Sequence, residues 1–163
     1  MSTYGGNAAP PQRVSPASSS WVDRLAIGMQ DPLLLLARVL LGAIFVQSGF
    51  GKLTNLGGFI GNLASQGVPA PSVFGTIGAC VEFFGGLAIV LGAWTRVAAV
   101  LMVGFTAAAT LIAHRYWAAP DAQRTAQHIQ FMKNLAIIGG FVGLIAAGAG
   151  RFSVDAFRRR DRR

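Results

Sequence analysis

Charge is scarce in this chain: only 12% of its 163 residues are Asp, Glu, Lys or Arg, and no more than 6 are acidic. A soluble domain carries roughly a quarter, so an ordinary water-facing surface is excluded. The single cysteine, Cys80, excludes an intramolecular disulfide, a CxxC redox pair and a cysteine-based zinc site. Two histidines, His114 and His128, stand without a third ligand type beside them, which makes a poor metal site; no metal is expected. A glycine-rich phosphate cradle, a GxSxG elbow and paired acids are all missing, so no self-sufficient catalytic motif is legible. The first apolar run begins after about thirty mixed residues and contains Arg38, unlike the short clean core of a signal peptide, and no cleavable leader is expected.

What is abundant is hydrocarbon. Hydrophobic residues make up 53% of the chain, concentrated in four windows at residues 32–51, 72–92, 96–114 and 129–150. At about 1.5 Å of helical rise per residue each crosses, or nearly crosses, a hydrocarbon core of about 30 Å. The fold expected is all-α, an integral membrane bundle of four transmembrane helices in the lipid bilayer. Residues 1–30, rich in Ser, Pro and Gly, read as a disordered tail, with an interfacial helix over 21–30 opened by Ser20 and Asp23 at capping-box spacing. Residues 31–157 form the four-span domain and 158–163 an Arg-rich tail. Between the first two spans, Leu53, Leu56, Phe59, Ile60 and Leu63 recur at helical spacing, predicting a short surface or partly re-entrant helix.

The net charge of +8 is unevenly placed. Arg13, Arg24, Arg96, Arg151, Arg158, Arg159, Arg160, Arg162 and Arg163 all flank one face of the bundle, against Lys52, Arg115 and Arg124 on the other. This positive-inside bias puts both termini in the cytoplasm. The basic tail lacks interleaved aromatics and a folded module around it, so anionic lipid heads rather than nucleic acid are its expected contact.

Inside the spans, Gly75, Ala79, Glu82 and Gly86 fall on one helical stripe, and Arg38, Gly42, Phe45, Gly49 and Lys52 on another. Small residues at such spacing let helix backbones approach closely, and Gly139, Gly140 and Gly143 suggest the same for the fourth span. A charge inside a span costs several kcal/mol unless partnered. The opposite signs of Arg38 and Glu82 make each the expected partner of the other, with Lys133 sharing Glu82 and with Asn134, Gln47 and His114 offering further hydrogen bonds. Phe45, Phe83, Phe84 and Phe131 are candidates to wall such a site. Two interior cations against one carboxylate, with Lys52 at the mouth, favour an anionic or electron-rich ligand such as a quinone carbonyl, a carboxylate or a small oxyanion. A purely structural staple is the competing reading of the same ions.

Taken in order, Arg38-Val-Leu-Leu-Gly42, Gly49-Phe-Gly-Lys52-Leu53, Glu82 in a glycine-rich span, Gly92-Ala-Trp-Thr-Arg96, Lys133-Asn134-Leu135 and Gly148-Ala-Gly150-Arg-Phe-Ser153-Val-Asp155 resemble the DoxX family over residues 31–157. The resemblance implies a four-helix bacterial inner-membrane protein. It also implies association with membrane oxidoreductase assemblies, hence a quinone as cofactor and an oxidoreductase as partner protein, and it supports Arg38, Lys52, Glu82, Lys133 and Asn134 as the site. With Cys80 alone, thiol chemistry would belong to a partner. Three functions follow from the residues: a redox-linked membrane subunit, a small transporter that four spans would oblige to form a homo-oligomer, and a membrane scaffold.

Overall fold

A computed structural model describes residues 20–161; Arg13, Arg162, Arg163 and the first nineteen residues of the expected disordered tail lie outside them. The chain opens with α1 (Trp21–Gly28), closed at its start by a reciprocal capping box in which Ser20 accepts from the Asp23 N–H and Asp23 accepts from the Ser20 N–H. That pairing also holds the exposed Asp23 carboxyl below its usual range, its side-chain and backbone bonds to Ser20 being the cause. Trp21, Leu25 and Met29 remain exposed.

Four long helices follow: α2 (Gln30–Thr54), α4 (Pro71–Leu91), α5 (Thr95–Ala113) and α6 (Asp121–Ala147), with the short α3 (Leu56–Ser65) between the first two and α7 (Val154–Arg160) at the end. All four long helices have the length and hydropathy of membrane spans. Three match the expected windows within about three residues. The fourth begins eight residues before its window, because the helix continues as a polar stretch, residues 121–128, that hydropathy alone does not register.

The bundle is a ring in which α2 packs on α4, α4 on α5, α5 on α6 and α6 on α2. Its centre holds Phe45, Ile89, Met102, Phe141 and Leu144, with Phe45 and Phe141 rings 5.5 Å apart. The periphery is equally apolar: Leu40, Val97, Leu101 and Ile129 are each 61% exposed. A water-soluble protein rarely tolerates such a belt; acyl chains cover it here.

Close approach of α2 and α4 rests on the glycine stripes. Gly75, Ala79, Glu82 and Gly86 are all buried, as are Arg38, Gly42, Phe45 and Gly49. A Cβ at Gly49 would stand 2.5 Å from the Phe83 nitrogen, and one at Gly86 would stand 2.9 Å from the Val46 nitrogen. Neither distance can be relieved without moving backbone. The expected glycine packing of the fourth span holds at Gly140 alone, against Leu41; Gly139 and Gly143 face open space. Helix α3 docks where Gly75 leaves room, since a Cβ there would meet Ile60 and Leu63 at 3.1 Å.

Candidate functional site

The two stripes set the antiparallel register, and the register decides which ions meet. Gly49 lies against Phe83, Gly42 against Gly86 and Val90. Lys52, one turn past Gly49 on the same face, is thereby delivered to Glu82, next to Phe83, and the two form an ion pair. Glu82 is 5% exposed, and the Lys52 ammonium also sits 5.1 Å from the Phe59 ring centre.

The expected Arg38–Glu82 pair does not form. In the observed register Arg38 falls level with Trp94, about twelve residues and about 18 Å of helix beyond Glu82, because the first turns of α2 extend past the end of α4. Lys133 does not share the carboxylate either: it is exposed, has no ion-pair partner among the described residues, and faces Glu82 across a cavity. Gln47 is exposed on the outer surface of α2 and takes no part.

That cavity, about 200 Å³, is the candidate site. Ser48, Lys52, Glu82, Thr106, His114, Lys133 and Asn134 bring its polar groups. It therefore gathers four of the five principal sequence-predicted residues, leaving out Arg38, and one of the two secondary ones. The His114 Nδ1 is 2.9 Å from the Gln127 Oε1. The Asn134 amide donates to the Thr110 hydroxyl at 2.9 Å, and that hydroxyl donates to the Thr106 carbonyl at 2.6 Å. Thr106 itself is 98% buried and its hydroxyl has no partner among the described residues, on the wall of a cavity where a polar atom normally finds one. Of the expected aromatic walls only Phe45 is present, joined by Phe105. Phe84 is 59% exposed on the periphery, Phe83 stacks edge-on against it, and Phe131 belongs to a cluster with Tyr116 and Trp117 at the bundle's end. Thr106 and Thr110 carry no sequence signal, since Thr is common inside spans as a backbone-bonded residue.

Arg38 belongs to a separate construction at the end that carries both termini. It is fully buried, donates from Nη2 to the Phe152 carbonyl, and leaves Nε and Nη1 without partners among the described residues. Gly92, in the left-handed region at φ 67°, lies flat against the guanidinium, and a Cβ there would collide with it. The segment after α6 is latched to this end: the Asp155 N–H donates to the Gly92 carbonyl at 3.0 Å, and the Arg151 N–H donates to Asp31 at 2.7 Å. Asp155 also caps α5 from outside, accepting from the Trp94 N–H at 2.7 Å, the Thr95 N–H at 2.8 Å and the Thr95 hydroxyl at 2.9 Å. Burial would raise this carboxyl, but the bonds from Thr95 and Trp94, with Arg159 nearby, hold it below its usual range. These contacts tie the segment after α6 to this end, with Arg38 fully buried among them, so the latch reads as structure.

On three of the four long helices a fully buried core residue separates the two ends. Ile89 lies between Glu82 and Gly92, Met102 between Thr106 and Thr95, and Phe141 between Asn134 and Ala147; all three are fully buried. The cavity and the hollow beside the latch share no lining residue.

Comparison with known proteins places the chain among small membrane proteins. The DoxX family model matches residues 33–115. The inner membrane protein YphA of Escherichia coli (strain K12) is 36% identical over 123 residues, 76% of this chain and 88% of that protein. The inner membrane protein YqjF of the same organism is 35% identical over 130 residues, 78% of this chain and 92% of its own length. An uncharacterized membrane protein of Mycobacterium tuberculosis is 30% identical over 155 residues, 85% of this chain and 88% of that protein. No solved structure matches.

Proposed function

The chain belongs to the DoxX family of multi-pass inner-membrane proteins, and from that premise we propose that it is a redox-linked membrane subunit. In this reading it holds a small electron-rich molecule, a quinone head or a small anion, in the cavity between Lys52, Glu82, Lys133 and Asn134. A partner oxidoreductase handles the electrons.

The observation that carries the reading is the unpartnered Thr106 hydroxyl on the wall of a cavity with two ammonium groups and one carboxylate. Lys52 is neutralised by Glu82, so Lys133 supplies the surplus positive charge, and the Thr106 hydroxyl offers a further donor. Together they suit an acceptor oxygen entering a low-dielectric interior, where such bonds gain strength. The quinone head fits the donor set, since its carbonyls accept and need no counter-charge. When bound, a quinone would supply two-electron redox chemistry; the chain's own residues hold and orient it and exclude water. The core layer of Ile89, Met102 and Phe141 closes the far end, which favours a binding site over a through-path. Basic residues gathered on the terminal end support an orientation with both termini in the cytoplasm, which would set the cavity toward the outer leaflet.

The test is ligand binding by the full chain in lipid nanodiscs, with a chain-free dimethoxy-methyl-benzoquinone and with small carboxylates as probes. Binding is expected in the wild type and weakened about tenfold by Thr106→Val or Lys133→Met. Unchanged binding in both variants, or no binding by any probe, overturns the assignment.

A further inference from the structure

A second hollow adjoins the cavity. It is an apolar groove of about 270 Å³ between α3, α4 and α5, and Lys52, Phe105, Ala109 and Ala113 line both spaces. The Phe105 ring and the Lys52 stem are thus a shared partition, polar on one side and hydrocarbon on the other. Outward, the groove is bordered by Phe74, Ile77 and Ile112, which are 57%, 56% and 42% exposed, so it opens on the acyl chains rather than on water.

Gly78 shows that the groove is a space the helices leave rather than one they fill. It sits on the glycine-rich α4 but supports no close backbone approach: a Cβ there would meet only the Phe105 ring edge, at 3.7 Å. Gly42, Gly49 and Gly86 are small because a neighbouring backbone is in the way; Gly78 faces a void. The cavity alone is below the roughly 300–1,000 Å³ typical of pockets for drug-sized ligands, and cavity plus groove come within that range.

We infer that the two spaces form one site for an amphiphile: a single isoprenoid or acyl chain in the groove, carrying a compact electron-rich head past Phe105 into the polar cavity. The ligand reaches the site sideways from the bilayer, between α4 and α5. This rests on the reading of the polar cavity as a ligand site and adds the tail, the route and the class of molecule.

The experiment uses the full chain in nanodiscs with two photoreactive probes, a decyl benzoquinone and a dodecanoic acid, each with a diazirine near the chain end. Labelled peptides are expected from α4 around Phe74–Val81 and α5 around Phe105–Ala113, suppressed by excess chain-free head compound. Filling the groove with Gly78→Leu, or independently with Ala108→Phe, is expected to lower that labelling about tenfold. The arm that labels identifies the head, quinone or carboxylate, and either result supports the inference. Labelling spread evenly over the lipid-facing belt and insensitive to both variants overturns it; if the chain-free head still binds, the proposed function survives that result. Absence of both head binding and groove labelling overturns the two together.

Discussion

Replacing Lys52 by methionine keeps the aliphatic stem and removes the charge that neutralises Glu82. The Glu82 side chain is 6% accessible and that of Lys52 30%, so the carboxylate is the stranded partner. Removing one member of a buried pair costs about 3–5 kcal/mol, and the partial exposure of Lys52 puts this pair near the lower end, about 3 kcal/mol. For a chain of this size about 2–4 °C of Tm accompanies each kcal/mol. Lys52→Met is therefore expected to lower Tm by about 6–12 °C. Lys52→Met with Glu82→Gln should recover most of that loss, because no uncompensated ion remains. Thermal unfolding in one detergent for wild type, both single variants and the double variant gives the coupling energy. Arg38→Met provides the control: about 18 Å from Glu82 along the helices, its effect should add to that of Glu82→Gln within about 0.5 kcal/mol. A larger coupling for Arg38 with Glu82 than for Lys52 with Glu82, or an unchanged Tm in Lys52→Met, would refute the register argument.

Other perturbations test other contacts. Gly49→Ala sets a Cβ against the Phe83 backbone and is expected to cost about 1–3 kcal/mol, while Gly139→Ala, in open space, should be neutral or stabilising by up to about 1 kcal/mol; equal Tm changes would argue against the α2–α4 contact. Asp155 is held below its usual carboxyl range, so its stabilising share is complete above the unfolded value of about 3.9 and is lost as pH falls through the lower folded value. Asp155→Asn should flatten the acid limb of a Tm-against-pH curve, and a limb of unchanged steepness would show that the α5 cap does not titrate there. With Cys80→Ser as background, Arg160→Cys is expected to react with a membrane-impermeant maleimide only in inverted vesicles; labelling in intact cells would reverse the topology.

The spans were legible because they depend on composition and length alone, and the same holds for caps such as Ser20 with Asp23. The packing faces were legible too. Each stripe of small residues, Gly42 with Gly49 and Gly75 with Gly86, is buried as its spacing implies. What sequence does not carry is the vertical offset between helices. Counting residues from the apparent start of each apolar run places Arg38 and Glu82 within reach, on the assumption that the first run begins at the membrane plane where the antiparallel second run ends. It does not: α2 starts well outside the end of α4, and the Gly49–Phe83 contact shifts every pairing toward Lys52.

The same limit explains why glycine spacing could not separate packing from space. Gly78 and Gly86 lie on one helix and look alike in sequence, yet a Cβ at Gly86 would press on the α2 backbone while one at Gly78 would project toward Phe105 with room to spare. The difference is set by what the neighbouring helix presents at that height, a property of the register rather than of the helix that carries the glycine. Once the offset is known, the polar and apolar halves of the site follow from few residues. Gly49 brings Lys52 to Glu82, the Lys52 stem and Phe105 divide the hollow, and Thr106, next in the chain after Phe105, lines the polar side. A register slip of one turn would move Lys52 about 5.4 Å along α4 and separate it from Glu82, so the site and the close packing of α2 on α4 stand or fall together.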